Sequence, residues 1–310
     1  MSSIAARRTP VSVTARRREQ SQRVRRIILR ILRVIGILGM LTFALFPILW
    51  VISASFNPGG SMASQSLIPQ NVDSVSDLFT NYNNLLNDPQ VPFWRWVGNS
   101  LLIAGTTAFF VVMISSLSAY AFSRFRFRYR RNTLLGIFLV QVFPNTLAMV
   151  AIYLMLMQLG RHIPAFGLNT YGGLILVYLG GGLALNIWLM KGFFDTVPRE
   201  IDESAMVDGA TSSQIYWKLI FPLARPILAV VGLLVFAGTL NDFLLARVVI
   251  TDRQNWTLMV GLYSFVEGNF SDQWGVFAAG ALFSALPVVI LYLFLQRYIV
   301  GGLTSGAVKG

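Results

Sequence analysis

The chain contains no cysteine and a single histidine, His162, among its 310 residues. It can therefore form no disulfide, no thiolate metal site and no histidine cluster, and it has no cysteine nucleophile. Charge is also scarce, because Asp, Glu, Lys and Arg together make up 12% of the residues, about half the share found in soluble domains. A chain with so few charged residues is unlike a soluble protein, whose water-exposed surface is rich in them.

Enzymatic and nucleotide-binding signatures are missing too. The sequence has no Gly-x-x-x-x-Gly-Lys-Ser/Thr run, and no Ser/His/Asp set or carboxylate pair with a usable spacing. We therefore expect a non-catalytic chain that carries no cofactor of its own. The net charge of +12 could indicate nucleic-acid binding, but the basic residues are mostly Arg at the edges of apolar segments. We therefore expect no nucleic-acid partner.

The sequence is rich instead in long apolar runs. Hydrophobic residues make up 55% of the chain, and no charged residue occurs in 34–72, 96–123 or 132–160. Each run exceeds the roughly 20 residues that span a bilayer. The first apolar run is too long for the core of a signal peptide, so we expect it to be retained. The hydropathy predicts an all-α membrane protein with six transmembrane helices, near 34–54, 98–120, 133–157, 171–190, 226–246 and 274–296.

The basic residues predict the orientation of these helices. With both termini in the cytoplasm, 21 of the 25 Lys and Arg residues lie on the cytoplasmic side, as the positive-inside rule requires. The predicted organisation is an Arg-rich cytoplasmic tail over 1–33, a transmembrane domain over 34–300 and a cytoplasmic tail over 301–310. The Arg-rich tail is typical of an orientation signal that contacts anionic lipid, with regulation as the alternative.

The predicted cytoplasmic loop 191–225 is longer than a direct connection between antiparallel helices needs to be. Pro198 suits the first position of a helix, and Gly209 is placed to end that helix in the left-handed conformation. Thr211 and Gln214 predict a capping box that opens a second helix, which runs to Pro222. We therefore predict that the loop forms two short helices set at an angle to each other.

Apolar residues are spread around the first of these helices, so it needs cover on several sides. A cytosolic partner could cover one side by taking the helix into a groove. A helix on the lipid surface usually has a strongly basic face, whereas this one is acidic at Glu200, Asp202, Glu203 and Asp208. We therefore favour a protein partner.

The motif in this loop resembles a known family. ESAMVDGA at 203–210, followed by IFPL at 220–223, resembles the EAA motif of ABC importer permeases, although Ser204 replaces the second alanine and the usual Ile-x-Leu-Pro ending is altered. The resemblance implies the type I importer permease fold, with 191–225 as a coupling loop whose helix pair docks on an ATPase subunit. It assigns this contact to Glu203, Ala205, Asp208, Gly209, Ala210 and Pro222.

Two further segments are similar to carbohydrate permeases of the maltose type. The final run, 302–310, looks like that family's terminal sequence, and Leu240-Asn241-Asp242-Phe243-Leu244 is similar to its Trp-Asn-Glu-Phe-Leu stretch. The first likeness implies a tail that reaches the ATPase subunits through Thr304, Gly306, Val308, Lys309 and Gly310. Asn241 and Asp242 are candidates for the translocation path, because Asp242 is the only acidic residue in any predicted span, with contact with water or pairing to Arg247 as the alternative for Asp242.

The same resemblance implies that the third outer loop docks an external binding protein. The residues concerned are Asp252, Asn255, Trp256 and Thr257, although Trp256 could equally be an aromatic residue at the membrane interface.

The implied function is that of one transmembrane subunit of an ATP-driven, binding-protein-dependent sugar importer, for a maltose-, maltodextrin- or trehalose-like solute. The implied partners are a second homologous permease subunit, a dimer of ATPase subunits that holds ATP and Mg, an extracytoplasmic sugar-binding protein and the lipid bilayer of the cytoplasmic membrane. The alternatives are an ABC importer permease for another solute class and, less favoured, an ion-coupled secondary transporter, for which the chain shows no repeated halves.

Overall fold

The computed structural model describes residues 13–58, 60–61, 64–70, 72–142, 144–267 and 273–307. Within these ranges the regular structure is helical and no strand occurs. The α-helices are α1 (Val13–Ser55), α2 (Thr80–Asn87), α3 (Phe93–Arg124), α4 (Arg130–Val142), α5 (Asn145–His162), α6 (Tyr171–Thr196), α7 (Glu200–Val207), α8 (Ser212–Ile215), α9 (Phe221–Leu223), α10 (Arg225–Leu240), α11 (Leu244–Val249), α12 (Leu258–Tyr263) and α13 (Trp274–Ala307).

In the described part of the chain, four helices are long and apolar enough to cross a membrane. They are α1 from Arg25 onward, α3, α6 and α13 up to Ile299. A fifth span results if 212–223 and α10 count as one element, which is bent by 75°. The prediction of an all-α membrane protein is confirmed, but six continuous spanning helices are not found among the described residues.

The third predicted span is divided by a proline. α4 ends at Val142 and α5 begins at Asn145, directly after Pro144, whose backbone is extended with ψ 121°. Proline has no N–H to donate, and its ring displaces the carbonyl of the preceding turn. The prediction of one helix over 133–157 is therefore wrong. Pro47 and Pro287, by contrast, lie inside the continuous helices α1 and α13.

The fifth predicted span is also divided. α10 ends at Leu240 and α11 begins at Leu244, and in between Asp242 Oδ1 accepts a hydrogen bond from the backbone N–H of Ala246 at 3.1 Å. An aspartate that bonds the N–H groups of a following turn favours a new helix start over continuation of the old helix. The prediction of one helix over 226–246 is therefore wrong.

The packing is centred on α3. This helix packs against α6 and α10, α10 packs against α13, and α1 runs along α13. One apolar cluster, built around Tyr216, Phe194 and Ile220, lies beneath the segment between α6 and α10. Two others, around Trp96 and around Ile250, lie beneath the 251–257 loop. The core therefore supports both segments for which the sequence predicts partners.

Both terminal segments are helical where the structure describes them. α1 begins at Val13, so the described part of the Arg-rich segment is helical and continuous with the first span. Residues 25–49 of α1 are exposed and largely apolar, which is expected of a helix that contacts lipid or another membrane subunit. α13 likewise continues to Ala307, past the predicted boundary at 301.

Candidate functional site

The segment between α6 and α10 contains the predicted helix and turn. α7 ends at Val207, and Gly209 follows with φ +80°, a left-handed conformation that glycine adopts at no steric cost. The prediction that Gly209 closes this helix is confirmed. Pro198 does not open it, however, since the helix begins only at Glu200. The Val197 carbonyl accepts a hydrogen bond from Arg124 Nη2 at 3.0 Å.

The second predicted helix opens with the expected capping box. Thr211 Oγ1 accepts from the backbone N–H of Gln214, and Gln214 Oε1 accepts from the backbone N–H of Thr211 at 2.8 Å. The helix is irregular beyond this point, since a π-helical stretch over 216–220 separates α8 from α9. Within that stretch the hydroxyl of Tyr216 is hydrogen-bonded to Ser116 of α3 at 2.7 Å. A π-helical turn inside a helix often marks a functional segment.

The inner face of α7 is fixed to the end of α3 by a buried ion pair. Arg124 Nε lies 2.8 Å from Asp202 Oδ2, and both side chains are 7% exposed. The two groups form an ion pair without the alignment of a hydrogen bond. Burial raises the pKa of the Asp202 carboxyl, and the guanidinium groups of Arg124 and Arg199 act against that rise.

Neighbouring polar contacts extend this connection to α6. Ser123 Oγ donates to Asp195 Oδ1 at 2.7 Å, and Arg199 Nη2 donates to the Ser123 carbonyl at 3.1 Å. Asp195 also pairs with Lys191 one turn earlier in α6. We refer to Ser123, Arg124, Asp195, Arg199 and Asp202 as the α3 clamp. The α3 clamp connects α7 to the ends of α3 and α6. A displacement of α7 therefore has to move these two helix ends or break the contacts of the clamp.

The outer face of α7 has no partner among the described residues. Met206 is 52% exposed and Val207 87% exposed, and Glu203, Asp208 and Gly209 are exposed beside them. Two other predicted contact residues lie inward, since Ala205 is part of the apolar cluster and Ala210 packs against it. Pro222 is half-buried. The face available to a partner therefore includes Glu203, Met206, Val207, Asp208 and Gly209, together with the exposed Glu200 and Ser204.

The predicted C-terminal contact falls largely beyond what the structure describes. Thr304 and Gly306 lie in α13, whereas Val308, Lys309 and Gly310 lie outside the described residues.

The loop 251–257 is held by α3 and α6. Asn99 Nδ2 donates to the carbonyls of Gln254 and Trp256 at 3.0 and 2.9 Å, and its Oδ1 accepts from the hydroxyl of Tyr171 at 2.7 Å. Trp96 Nε1 donates to the Arg253 carbonyl at 2.9 Å. These bonds satisfy buried polar groups and give the loop a defined conformation.

The four predicted docking residues differ in accessibility. Asp252 is exposed, whereas Thr257 is 3% exposed and cannot be contacted without rearrangement. Asn255 is half-buried and donates to the Asn169 carbonyl at 3.3 Å. Trp256 is also half-buried, with the guanidinium of Arg247 5.1 Å from its ring centroid. Asp252 is therefore the most accessible of the four.

Asp242 pairs with a tyrosine and not with Arg247. The hydroxyl of Tyr178 donates to Asp242 Oδ1 at 2.8 Å. Arg247 pairs instead with Glu267, with 3.7 Å between Arg247 Nη2 and Glu267 Oε2. The alternative in which Arg247 neutralises Asp242 is therefore wrong. Asn241 is exposed and does not share this contact.

Sequence reasoning missed Arg124 and Asp202 as a pair, and Tyr178 as the partner of Asp242. Arg124 ends a long apolar helix and Asp202 lies in the motif segment, but no spacing rule connects positions on different helices. The sequence offered one signal for a special role of Tyr178, which is its position two residues before the glycine run at 180–182. Nothing in that pattern points to Asp242.

Residues 112–304 match the family described as binding-protein-dependent transport system inner membrane component. The maltose/maltodextrin transport system permease protein MalG of Vibrio vulnificus (strain YJ016) is 41% identical over 272 residues, which cover 86% of this chain and 91% of that protein. MalG of Escherichia coli (strain K12) is 38% identical over 272 residues, with the same coverage.

Solved structures of similar fold come from a bacterial ABC transporter involved in the import of the acidic polysaccharide alginate. One chain of it superposes with a TM-score of 0.67 at 27% identity and covers 94% of this chain and 99% of its own length. A chain from the alginate transporter in complex with an alginate pentasaccharide-bound periplasmic protein superposes with a TM-score of 0.63 at 16% identity and 89% coverage of this chain. The second likeness concerns the fold alone.

Proposed function

The chain belongs to the family of binding-protein-dependent transport system inner membrane components, and from this premise we propose that it is one transmembrane subunit of an ATP-driven sugar importer. It forms half of the translocation path together with a second, homologous permease subunit. Hydrolysis of ATP, with Mg, takes place on a dimer of ATPase subunits. This chain itself is non-catalytic and acts by changing conformation.

The exposed face of α7 is the observation that carries this proposal. A solvent-exposed pair of large apolar side chains, Met206 and Val207, is unfavourable on an isolated protein and favours a binding surface. Glu203 and Asp208 beside them are suited to basic residues of a partner. The turn at Gly209 sets the angle between α7 and α8, so the segment from Pro198 to Pro222 docks as one unit.

The α3 clamp supports a coupling role for this unit. Because Asp202 and Arg124 join α7 to α3, a displacement of α7 by the ATPase dimer is passed to α3 and, through Asp195, to α6. Transport then follows from a shift between inward-facing and outward-facing populations of the helix bundle. The tail residues Thr304, Gly306, Val308, Lys309 and Gly310 provide a second contact with the ATPase subunits.

The opposite side of the molecule receives the binding protein. Asp252 is the principal docking residue, and Asn255, Trp256 and Thr257 hold the loop in shape behind it. In this orientation both termini are cytoplasmic, in agreement with the distribution of the basic residues. Asn241 and Asp242 lie on the translocation path.

The solute is a sugar of the maltose, maltodextrin or trehalose type. The names of the MalG relatives support the first two, and the alginate transporter supports carbohydrate more generally. Trehalose rests on the sequence resemblance alone. An importer for another solute class is the alternative.

The test is to purify the complete complex in lipid with its binding protein and measure ATP hydrolysis with a panel of sugars, amino acids and peptides. We expect stimulation by at least one glucoside and none by amino acids. Stimulation by amino acids or peptides, with no response to any sugar, would overturn the sugar assignment.

A further inference from the structure

A cavity of about 580 Å³ lies where α4, α5, α6 and α10 approach one another. Its volume falls within the roughly 300–1,000 Å³ of small-molecule sites. Both divided spans contribute to it, since Gln141 comes from the last turn of α4 and Asp242 from the gap after α10. Non-helical backbone at membrane depth is tolerated where it is buried in protein or lines a water-filled cavity.

Asp242 provides one free acceptor in this cavity. Its Oδ1 accepts from the Tyr178 hydroxyl at 2.8 Å and from the Ala246 N–H at 3.1 Å. Its Oδ2 accepts no hydrogen bond from any residue that the structure describes. An ionisable group in a membrane span is costly and usually functional. Asp242 is therefore oriented by two internal bonds and keeps one oxygen for a ligand.

Gln141 shapes the wall opposite α10. Its Oε1 accepts from the Leu185 N–H at 3.0 Å, and its Nε2 donates to the Gly181 carbonyl at 3.4 Å. An α-helix normally bonds these two backbone groups to each other. The amide of Gln141 thus bridges the backbone of α6 within the glycine run, and it holds the end of α4 against the cavity.

We infer that this cavity is a solute-binding site of this subunit, and that it takes a neutral, hydroxyl-rich solute such as a saccharide. Asp242 accepts a solute hydroxyl at Oδ2, and Tyr178 positions the carboxylate. Gly180 and Gly238 line the cavity without side chains and leave room for a sugar ring. The inference rests on the proposed function, since it concerns the solute of that importer.

The polar groups fit hydroxyls better than a cation. Gln141 and Thr239 can each donate and accept, as a polyol requires, and the Tyr178 oxygen, whose proton is donated to Asp242, can still accept. A bound metal ion needs several oxygen ligands, and no group of three or more acidic or histidine residues occurs in the part of the chain that the structure describes. A single carboxylate that already accepts two hydrogen bonds is a weak cation site.

The first test narrows the cavity with Gly180→Leu. A Cβ at Gly180 meets no atom within 4 Å, and leucine favours helix more than glycine does, so we expect the variant to fold. Gly36→Leu in α1 is the matched control, because its Cβ also meets nothing within 4 Å. In the reconstituted complex with its binding protein, we expect sugar transport to fall at least tenfold for Gly180→Leu and to stay at the wild-type level for Gly36→Leu.

The second test detects the solute directly. Because the chain has no cysteine, Gly238→Cys gives it one thiol, which a water-soluble maleimide labels in the ATP-energised complex. We expect saturating maltose with the binding protein to slow labelling of this chain severalfold. Labelling of Ser76→Cys, on the exposed outer segment, should not change.

The outcomes separate the two proposals. Wild-type sugar transport with normal transport by Gly180→Leu and no protection of Gly238→Cys would overturn the cavity site and leave the importer assignment intact. Protection by amino acids and not by sugars would overturn the solute class in both. A wild-type complex that transports no sugar would overturn the proposed function and this inference with it.

Discussion

Arg124 Nε and Asp202 Oδ2 lie 2.8 Å apart although the residues belong to different helices, α3 and α7, and both side chains are 7% exposed. Such a pair is not a strong source of stability, because removing two charges from water offsets much of their attraction. The main effect of the pair is to position α7 relative to α3. It fixes one face of α7 to the bundle and leaves Met206 and Val207 on the other face.

Removing one partner of this ion pair should lower the free energy of unfolding more than removing both charges. We expect Arg124→Ala to destabilise the fold by about 3–5 kcal/mol, because Asp202 is left as a buried, unpaired charge. The double variant Arg124→Leu/Asp202→Leu should lose less. Thermal unfolding of the purified subunit in detergent measures both, with the exposed Arg126→Ala as control. Equal losses for the single and double variants would contradict the role of the pair.

Glu203→Lys should separate docking from folding. Glu203 is exposed and outside the α3 clamp, so membrane insertion and unfolding temperature should stay unchanged. We expect transport and sugar-stimulated ATP hydrolysis by the complex to be abolished, because the charge reversal opposes a basic partner surface. Asp73→Lys makes the same charge change at an exposed position outside the segment from Pro198 to Pro222 and should retain both activities. Normal transport by Glu203→Lys would refute the coupling assignment.

The turn at Gly209 depends on backbone conformation and not on space. Its φ is +80°, and an added Cβ meets no atom within 4 Å. Gly209→Val should therefore abolish sugar-stimulated ATP hydrolysis, since β-branched residues strongly disfavour a positive φ. Gly209→Asn should retain most of it, because asparagine tolerates that region. Equal activity of both variants would show that the turn does not set the docking geometry.

Gly261 is a position in α12 at which added volume should disturb the packing beneath the 251–257 loop. A Cβ there would lie 2.2 Å from a ring atom of Trp96, whose Nε1 donates to the Arg253 carbonyl. We expect Gly261→Ala to cost about 1–3 kcal/mol through overpacking. Gly98→Ala, whose Cβ meets nothing within 4 Å, should not destabilise. Unfolding temperatures of the two variants decide the point, and an unchanged value for Gly261→Ala would contradict this packing.

Local signals predicted the local features well. Gly209 and the Thr211/Gln214 capping box depend on contacts within a few residues, and both occur as expected. The proline positions predicted the helix boundaries less well. Pro144 separates two helices, whereas Pro47 and Pro287 lie inside continuous ones, because the outcome depends on how neighbouring helices accommodate the missing donor.

The class of this protein followed from its sequence alone. Its scarcity of charge and its long apolar runs leave the bilayer as the solvent, because only helices or closed barrels satisfy their backbone there. The motif at 203–210 was likewise readable, since it is a contiguous stretch. Both conclusions need no knowledge of which helices meet.

Tertiary structure alone decided which residues act together. The pairing of Arg124 with Asp202, the bond from Tyr178 to Asp242 and the insertion of Gln141 into α6 each join distant parts of the chain. It also decided that Ala205 faces the core while Met206 and Val207 face outward. The physical reason is that burial and polar pairing depend on how helices pack, whereas hydropathy and capping depend only on neighbours along the chain.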